Sequence, residues 1–348
     1  MRVRTSATVL SLCLVCAVAA EVVAAPQQVP ASPDWAYGFA GPAAPGAPGA
    51  ARGAGAPARP AGAARGPRPV PPADTVHRTV AGSKLTFTLP QVRDANGPAD
   101  WFPDDHPPMP DVVAHGRLDA KISACSLCHY PNGKGRAENA PVAGLPYSYI
   151  LQEMQDFKNG DRKSYDQRKT NTNNMIAFTK DLTDDEMKAA ATYFSSMKWT
   201  PWVKVVETDT VPKTRIAGGL FIALEGAQAG TEPIGSRIIE VPVNGEETET
   251  LRNPRSGFIA YVPKGAIQRG ADIAGRAQCV LCHGANLDGL GPVPGIAGRS
   301  PSYMVRQLFD IQRGTRKGLW TDLMKGIVQP LSVDQMRDVA AYVASRAP

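Results

Sequence analysis

Two stretches near the ends of the two halves of the chain, DDEMKAAATYFSSM at 184–197 and VDQMRDVAAYVAS at 333–345, repeat apolar residues at helical spacing. Each is preceded by a capping signature. Thr183 stands three residues before Glu186, and Ser332 three residues before Gln335. Two earlier stretches, SYILQEMQDFKNG at 148–160 and SYMVRQLFDIQRG at 302–314, show apolar i, i+3 and i+4 spacing with a terminal glycine stop, so each predicts a helix. Between the halves, RIIEVPV at 237–243 and GFIAYVP at 257–263 alternate or run apolar with β-branched and aromatic residues, flanking the polar NGEETETLRNPRS. That pattern predicts a β-hairpin or small sheet, to which GSKLTFTLP at 82–90 adds a candidate strand.

The first 75 residues carry no such periodicity. MRVRTSATVLSLCLVCAVAAEVVAAP has Arg2 and Arg4, then an apolar run of about 15 residues, then small residues, which is the form of a secretory signal peptide over 1–25. The run is short for a membrane span, which needs about 20 residues. An uncleaved anchor and a lipid-modified Cys16 are the alternatives. Residues 26–75 are dominated by Pro, Ala and Gly, with no Leu, Ile or Phe between Ala43 and Pro69. Such a composition cannot offset its ordering entropy by burial and predicts a disordered tether. The net charge of +6 changes little, because Arg2, Arg4, Arg52, Arg59, Arg65 and Arg68 all lie in these two segments. The rest is only mildly basic and lacks a basic, aromatic-interleaved patch, so no nucleic-acid partner is expected.

The chemistry sits in the cysteines. Beyond the leader there are four, as CSLCH at 125–129 and CVLCH at 279–283. Two thiols three residues apart on one helical turn reach the two vinyl groups of a haem, and the adjoining histidine comes to lie beneath the iron. Cys125, Cys128, Cys279 and Cys282 are therefore candidate haem c attachment residues, and His129 and His283 candidate proximal ligands. A thioredoxin-like dithiol would need no histidine twice over, and zinc would need the distant pairs to meet in one tetrahedron.

The motifs belong to an internal repeat. A shift of 154 residues superposes Ala143-Gly144 on Ala297-Gly298, Ser148-Tyr149 on Ser302-Tyr303, and Gly160, Arg162 and Lys163 on Gly314, Arg316 and Lys317. After five extra residues in the first copy the shift becomes 149, and Met175 falls on Met324 and Met187 on Met336. Met187 and Met336 lie within the last helix and are read as core. Met175 and Met324 precede it, in what reads as a loop, and are the candidate sixth iron ligands. His77, His106 and His115 have no counterpart in the second copy and read as surface or packing histidines; His115 is the alternative ligand to test.

The order of a CxxCH helix, a Gly/Pro loop, a middle helix, a Met segment and a C-terminal helix resembles the class I cytochrome c fold. Its duplication resembles the dihaem cytochrome c4 family. The residues carrying the resemblance are the two motifs, PGIAG at 294–298, the FKNGDR and IQRGTR turns and the Met-to-Tyr tails, over about 115–198 and 270–346. It implies a mainly α protein of two tandem cytochrome c domains, at 115–199 and 269–348. An irregular extension at 76–114 and an interdomain insertion at 200–268 lie outside the family pattern. It further implies a carbonyl accepting from the proximal histidine, supplied by Pro294 for His283 and by Ala140 for His129. Arg162 and Arg316 are candidates to approach haem propionates.

Two haem irons, each closed by a protein ligand, leave no open coordination site for substrate. The expected function is therefore that of a periplasmic electron carrier between a dehydrogenase or quinol-oxidising complex and a terminal oxidase or other acceptor, touching membrane only through partners or an uncleaved leader. The rivals are a dihaem peroxidase-like enzyme with one open haem, and a dedicated subunit of a dehydrogenase complex that docks through its insertion.

Overall fold

The computed structural model describes residues 32–40 and 74–348. The leader expected at 1–25, and residues 26–31 and 41–73 of the expected tether, lie outside the described residues. Within that tether expectation, residues 32–40 are a correction. Asp34–Tyr37 forms a helical turn (α1), closed by Gly38 with φ +78°, and Ala36 and Tyr37 are buried. The aromatics of PDWAYGF supply the burial that the neighbouring Pro/Ala/Gly sequence lacks. Trp35 packs beside Ile238 and Val262, and Tyr37 beside Phe309 and Met336.

The stretch 76–114 holds only short turns and is fastened to the rest of the chain. Phe87 makes only an isolated bridge to Arg78, and Thr88 then caps a short helix α2 (Leu89–Val92), so GSKLTFTLP adds no strand to the insertion. Trp101 and Phe102 pack with Val80, Val92 and Leu251, and the Trp101 indole donates to the Leu251 carbonyl at 2.7 Å. A single turn α3 (Asp111–Ala114) sends Val112 and Val113 into the first domain.

The first domain comprises α4 (Cys125–His129), α5 (Tyr147–Asn159), α6 (Thr170–Asp181) and α7 (Asp184–Ser195). Helix α5 follows Pro146 and ends on the left-handed Gly160, and α7 opens with the anticipated Thr183/Glu186 capping box. Their apolar faces close one core around Ile150, Met154, Leu182, Met187 and Phe194.

The insertion forms a three-stranded sheet in which β1 (Val203–Thr208) runs parallel to β7 (Phe258–Pro263), and β7 antiparallel to β6 (Ile239–Pro242). The pairing of Ile239 with Tyr261 and Pro242 with Phe258 joins the two stretches read from the sequence. Two small ribbons accompany it: β2 (Thr210–Pro212) with β5 (Thr231–Pro233), and β3 (Thr214–Ala217) with β4 (Leu220–Ala223).

The second domain begins at α8 (Ala266–Arg276), ahead of the expected boundary at 269, and continues through α9 (Val280–His283), α10 (Pro301–Gln312), α11 (Thr321–Val328) and α12 (Val333–Ser345). The anticipated Ser332/Gln335 capping box opens α12. Helix α8 crosses α12 at Gly270, where a Cβ would lie 2.0 Å from the Asp338 carbonyl oxygen, so only glycine permits the approach. In the first domain the place beside α7 is taken by the single turn α3.

The domains meet through their repeated turns. The Lys163 N–H donates to the Thr315 carbonyl and the Lys317 N–H to the Asp161 carbonyl, both at 2.8 Å, flanking a bridge between Arg162 and Arg316.

Candidate functional site

Each CxxCH motif forms a short helix, and in each the chain leaves the histidine through a positive φ: +63° at Tyr130 and +85° at Gly284. That turn brings the following loop back over the imidazole. His129 Nδ1 lies 2.9 Å from the Ala140 carbonyl oxygen, and His283 Nδ1 lies 2.8 Å from that of Pro294. A carbonyl only accepts, so Nδ1 carries the proton and Nε2 keeps its lone pair, the tautomer a metal requires. Burial pushes both imidazoles below their ordinary value, outweighing the carbonyl bonds, which favours this neutral form. Ala140 and Pro294 therefore serve alike, as a backbone acceptor should.

Around His129 lies a crevice open to solvent, lined mainly by the first domain and also by Tyr303, Arg306, Gln307 and Asp310 of the second. Cys125, Cys128 and His129 line it, together with Met154, Phe157, Met175 and Phe178. Met175 thus shares the cavity with His129. It sits on α6, however, and Met324 on α11, so the expectation that both lie in loops is corrected. TNTNNMIAF holds few of the apolar positions that mark a buried helix, whereas in the short TDLMKGIV the spacing of Leu323, Met324, Ile327 and Val328 was a helical signal. Met187 and Met336 are fully buried among apolar side chains, as packing residues should be. His115 is bonded through Nδ1 to the Asn96 carbonyl at 3.2 Å, and neither it, His77 nor His106 lines this crevice.

The four cysteines are unpaired. Burial pushes the Cys125 thiol up to about 12, and raises Cys128 and Cys279 above the ordinary thiol value. An oxidoreductase dithiol needs the opposite shift, so these pairs are not poised for disulfide exchange. Among the described residues no three His, Cys, Asp or Glu side chains gather as a metal-binding cluster. The donor set instead fits a flat, apolar, covalently held group: thiols at helical spacing, one free imidazole nitrogen, a thioether and a mostly hydrocarbon lining.

Sequence reasoning missed what lies between the domains. Arg162 lines the first crevice, but both it and Arg316 are committed across the seam. The Arg162 guanidinium donates to Glu153 at 2.5 Å and to the Tyr303 hydroxyl of the other domain at 2.8 Å. Arg316 reciprocates, donating to Glu153 and to the Tyr149 hydroxyl. Gln307, the repeat equivalent of Glu153, accepts from both at 3.0 and 3.1 Å. The repeat register already aligned these residues, which was the signal for a two-fold cluster.

Comparison with known proteins gives the same picture. The family model described as Cytochrome c matches residues 118–198 and again 267–347. Cytochrome c-554(548) of Halomonas halodenitrificans is 38% identical over 69 residues, 20% of this chain and 83% of its own length. Over both domains, a Stutzerimonas stutzeri protein named thiosulfate dehydrogenase electron acceptor is 25% identical over 237 residues, covering 67% of this chain and 84% of that one. Cytochrome c4 of Azotobacter vinelandii is 24% identical over 242 residues, covering 66% and 90%. The chain belongs to the cytochrome c family, as a c4-like member with two domains in tandem and two covalently attached haem c groups.

Proposed function

We propose that the chain is an exported, periplasmic electron carrier that accepts electrons from a dehydrogenase and passes them to a terminal oxidase or another respiratory acceptor. In this reading Cys125 and Cys128 hold one haem and Cys279 and Cys282 the other. His129 with Met175, and His283 with Met324, would supply the nitrogen and sulfur donors to the two irons. A bound haem c supplies a reversible one-electron iron(III)/iron(II) couple. The chain's own residues do the rest. The Ala140 and Pro294 carbonyls orient the imidazoles, and the methionine thioethers favour the reduced state relative to a second histidine. The apolar lining of Met154, Phe157 and Phe178 excludes water.

The observation that carries the reading is the shared crevice of His129 and Met175; in the second domain the support is the sequence register, which sets His283 and Met324 at the equivalent positions. Ligands on both sides of an iron favour electron transfer over substrate chemistry, and so speak against the peroxidase-like alternative. The relative named as an electron acceptor of thiosulfate dehydrogenase supports a dehydrogenase as donor. No helix among the described residues is long and apolar enough to cross a membrane.

An anaerobic redox titration of the haem-loaded protein tests the proposal. Two reversible one-electron waves per chain, with no turnover of hydrogen peroxide, are expected; peroxide turnover, or an iron that titrates only with loss of a ligand, would sink it.

A further inference from the structure

The two attachment helices share a pattern and differ in exposure. Ser126, between the first pair of cysteines, is 2% exposed, whereas its counterpart Val280 is 46% exposed. Leu127 is half-buried, while Leu281 is 65% exposed, and Cys282 is exposed where Cys128 is not. The cover over the first helix is built from the two segments that the family pattern lacks. From the extension, the Ala95 carbonyl accepts from the Ala124 N–H at 2.8 Å, and the Val112 carbonyl lies 3.3 Å from Cys125 Sγ. From the insertion, Arg252 donates to the Leu127 carbonyl and lies over the Tyr130 ring, and the Pro254 carbonyl accepts from Asn132 at 2.9 Å. Tyr130 keeps a side chain at a φ of +63°, where the second repeat has glycine, and its ring joins Trp202, Leu220 and Phe258 in one buried cluster. Backbone strain of this kind is unfavourable for a non-glycine residue and persists where packing holds it.

A haem held by thioethers at Cys125 and Cys128, or at Cys279 and Cys282, would lie against its motif helix, so cover on that helix would also limit access to the group it holds. Resting on the electron-carrier reading, we propose that the chain is wired in one direction. The second domain, at Val280 and Leu281, is the port for electron exchange with outside redox partners, and the first haem is filled and emptied through the second. With a haem held at each motif, an external one-electron oxidant would draw one electron from the group held by Cys279 and Cys282, and the electron of the group held by Cys125 and Cys128 would follow across the Arg162–Arg316 seam. Two electrons leave, and two equivalents of a one-electron oxidant are reduced.

The test uses the fully reduced, haem-loaded chain mixed with hexacyanoferrate(III), an anionic one-electron oxidant. Leu281→Glu adds a like charge at the port, and Leu118→Glu adds the same charge at a 75% exposed position shortly before the first motif. At low salt, Leu281→Glu is expected to slow oxidation of both haems together by about two- to fivefold, with Leu118→Glu at the wild-type rate. Half of the amplitude persisting at the wild-type rate in Leu281→Glu, or slowing by Leu118→Glu, would overturn the proposal. A chain that cannot release two electrons at equilibrium would instead sink the carrier reading itself.

A second readout needs no electron transfer. The Leu127 and Leu281 amides each donate to the carbonyl three residues back at 3.0 Å, those of Ala124 and Gln278, so the local bond is alike and the cover is the main structural difference between them. Leu127 is expected to exchange at least about tenfold more slowly than Leu281; equal rates overturn the proposal.

Discussion

Arg162 and Arg316 stand at equivalent places in the two repeats and pair with each other as an antiparallel bridge, although both are cationic. Glu153 makes this possible, because both guanidiniums bind its carboxylate. Burial alone would raise that carboxyl, but the two arginines outweigh it and hold it below the ordinary carboxylate value. Glu153→Gln leaves two buried guanidiniums without a counter-charge. A loss of about 3–5 kcal/mol in denaturant unfolding is expected. Since Gln307 already accepts from both arginines, the double change Glu153→Gln/Gln307→Glu should recover most of it. A double variant no better than the single would show that the loss was not one of charge.

Met175→Ala and Met324→Ala are each expected to remove about half of the weak long-wavelength Met–iron band of the oxidised protein, and to lower the potential of one haem only. Optical spectra and a redox titration read both effects. If Met175→Ala leaves the band whole, the first iron has another ligand, and a Met175→Ala/His115→Ala pair would show whether it is His115.

Close packing makes Gly270 sensitive. Gly270→Ala puts a methyl 2.0 Å from the Asp338 oxygen and 2.8 Å from Tyr342 Cβ. A cost of about 1–3 kcal/mol is expected from the forced separation of α8 and α12. Gly275→Ala, on the same helix with open space around it, should instead stabilise by about 0.5–1 kcal/mol. Thermal unfolding of the two variants side by side separates crowding from helix propensity; a shift in the same direction for both would refute the packing account.

Acid–base behaviour offers another check at Glu240, on β6. One carboxylate oxygen lies 2.8 Å from Ser300 Oγ and 3.3 Å from the Ser302 amide nitrogen, while the other has no partner among the described residues. Burial outweighs those bonds and raises its pKa above the ordinary 4.5. The folded chain therefore holds this proton more tightly than the unfolded one. Its contribution to stability is complete below about pH 4.5 and is lost as pH rises through the higher folded value. Glu240→Gln should flatten the stability profile in that range by up to one proton. An unchanged slope would show that Glu240 is already ionised in the fold.

What the sequence disclosed followed from local chemistry. CSLCH, CVLCH, the two capping boxes and the glycine stops need only a few neighbouring residues, and all of them form the elements expected. The pairing of RIIEVPV with GFIAYVP was likewise legible from alternation. Long-range contact was not. Nothing near Arg252 indicates that it would reach the Leu127 carbonyl, and α6 holds few apolar residues of its own and finds its packing partner in α5. The turn at Asp34–Tyr37 was missed for a compositional reason. Its three aromatics, Trp35, Tyr37 and Phe39, sit beside a stretch poor in apolar residues and were averaged away with it, although their spacing was a signal.

That same turn has a consequence for the order of events during folding. Tyr37 donates to Asp310, 273 positions further along, and the Ala36 carbonyl accepts from Arg306. Its seat therefore does not exist until α10 has been made and packed. Loop closure over such a distance costs little extra stability, since the entropy grows only logarithmically, but long-separation contacts form late. The segment translated early is thus among the last to settle. Lys169, Arg306 and Asp310, which it touches, also line the first crevice, so the segment that settles last closes over part of that lining.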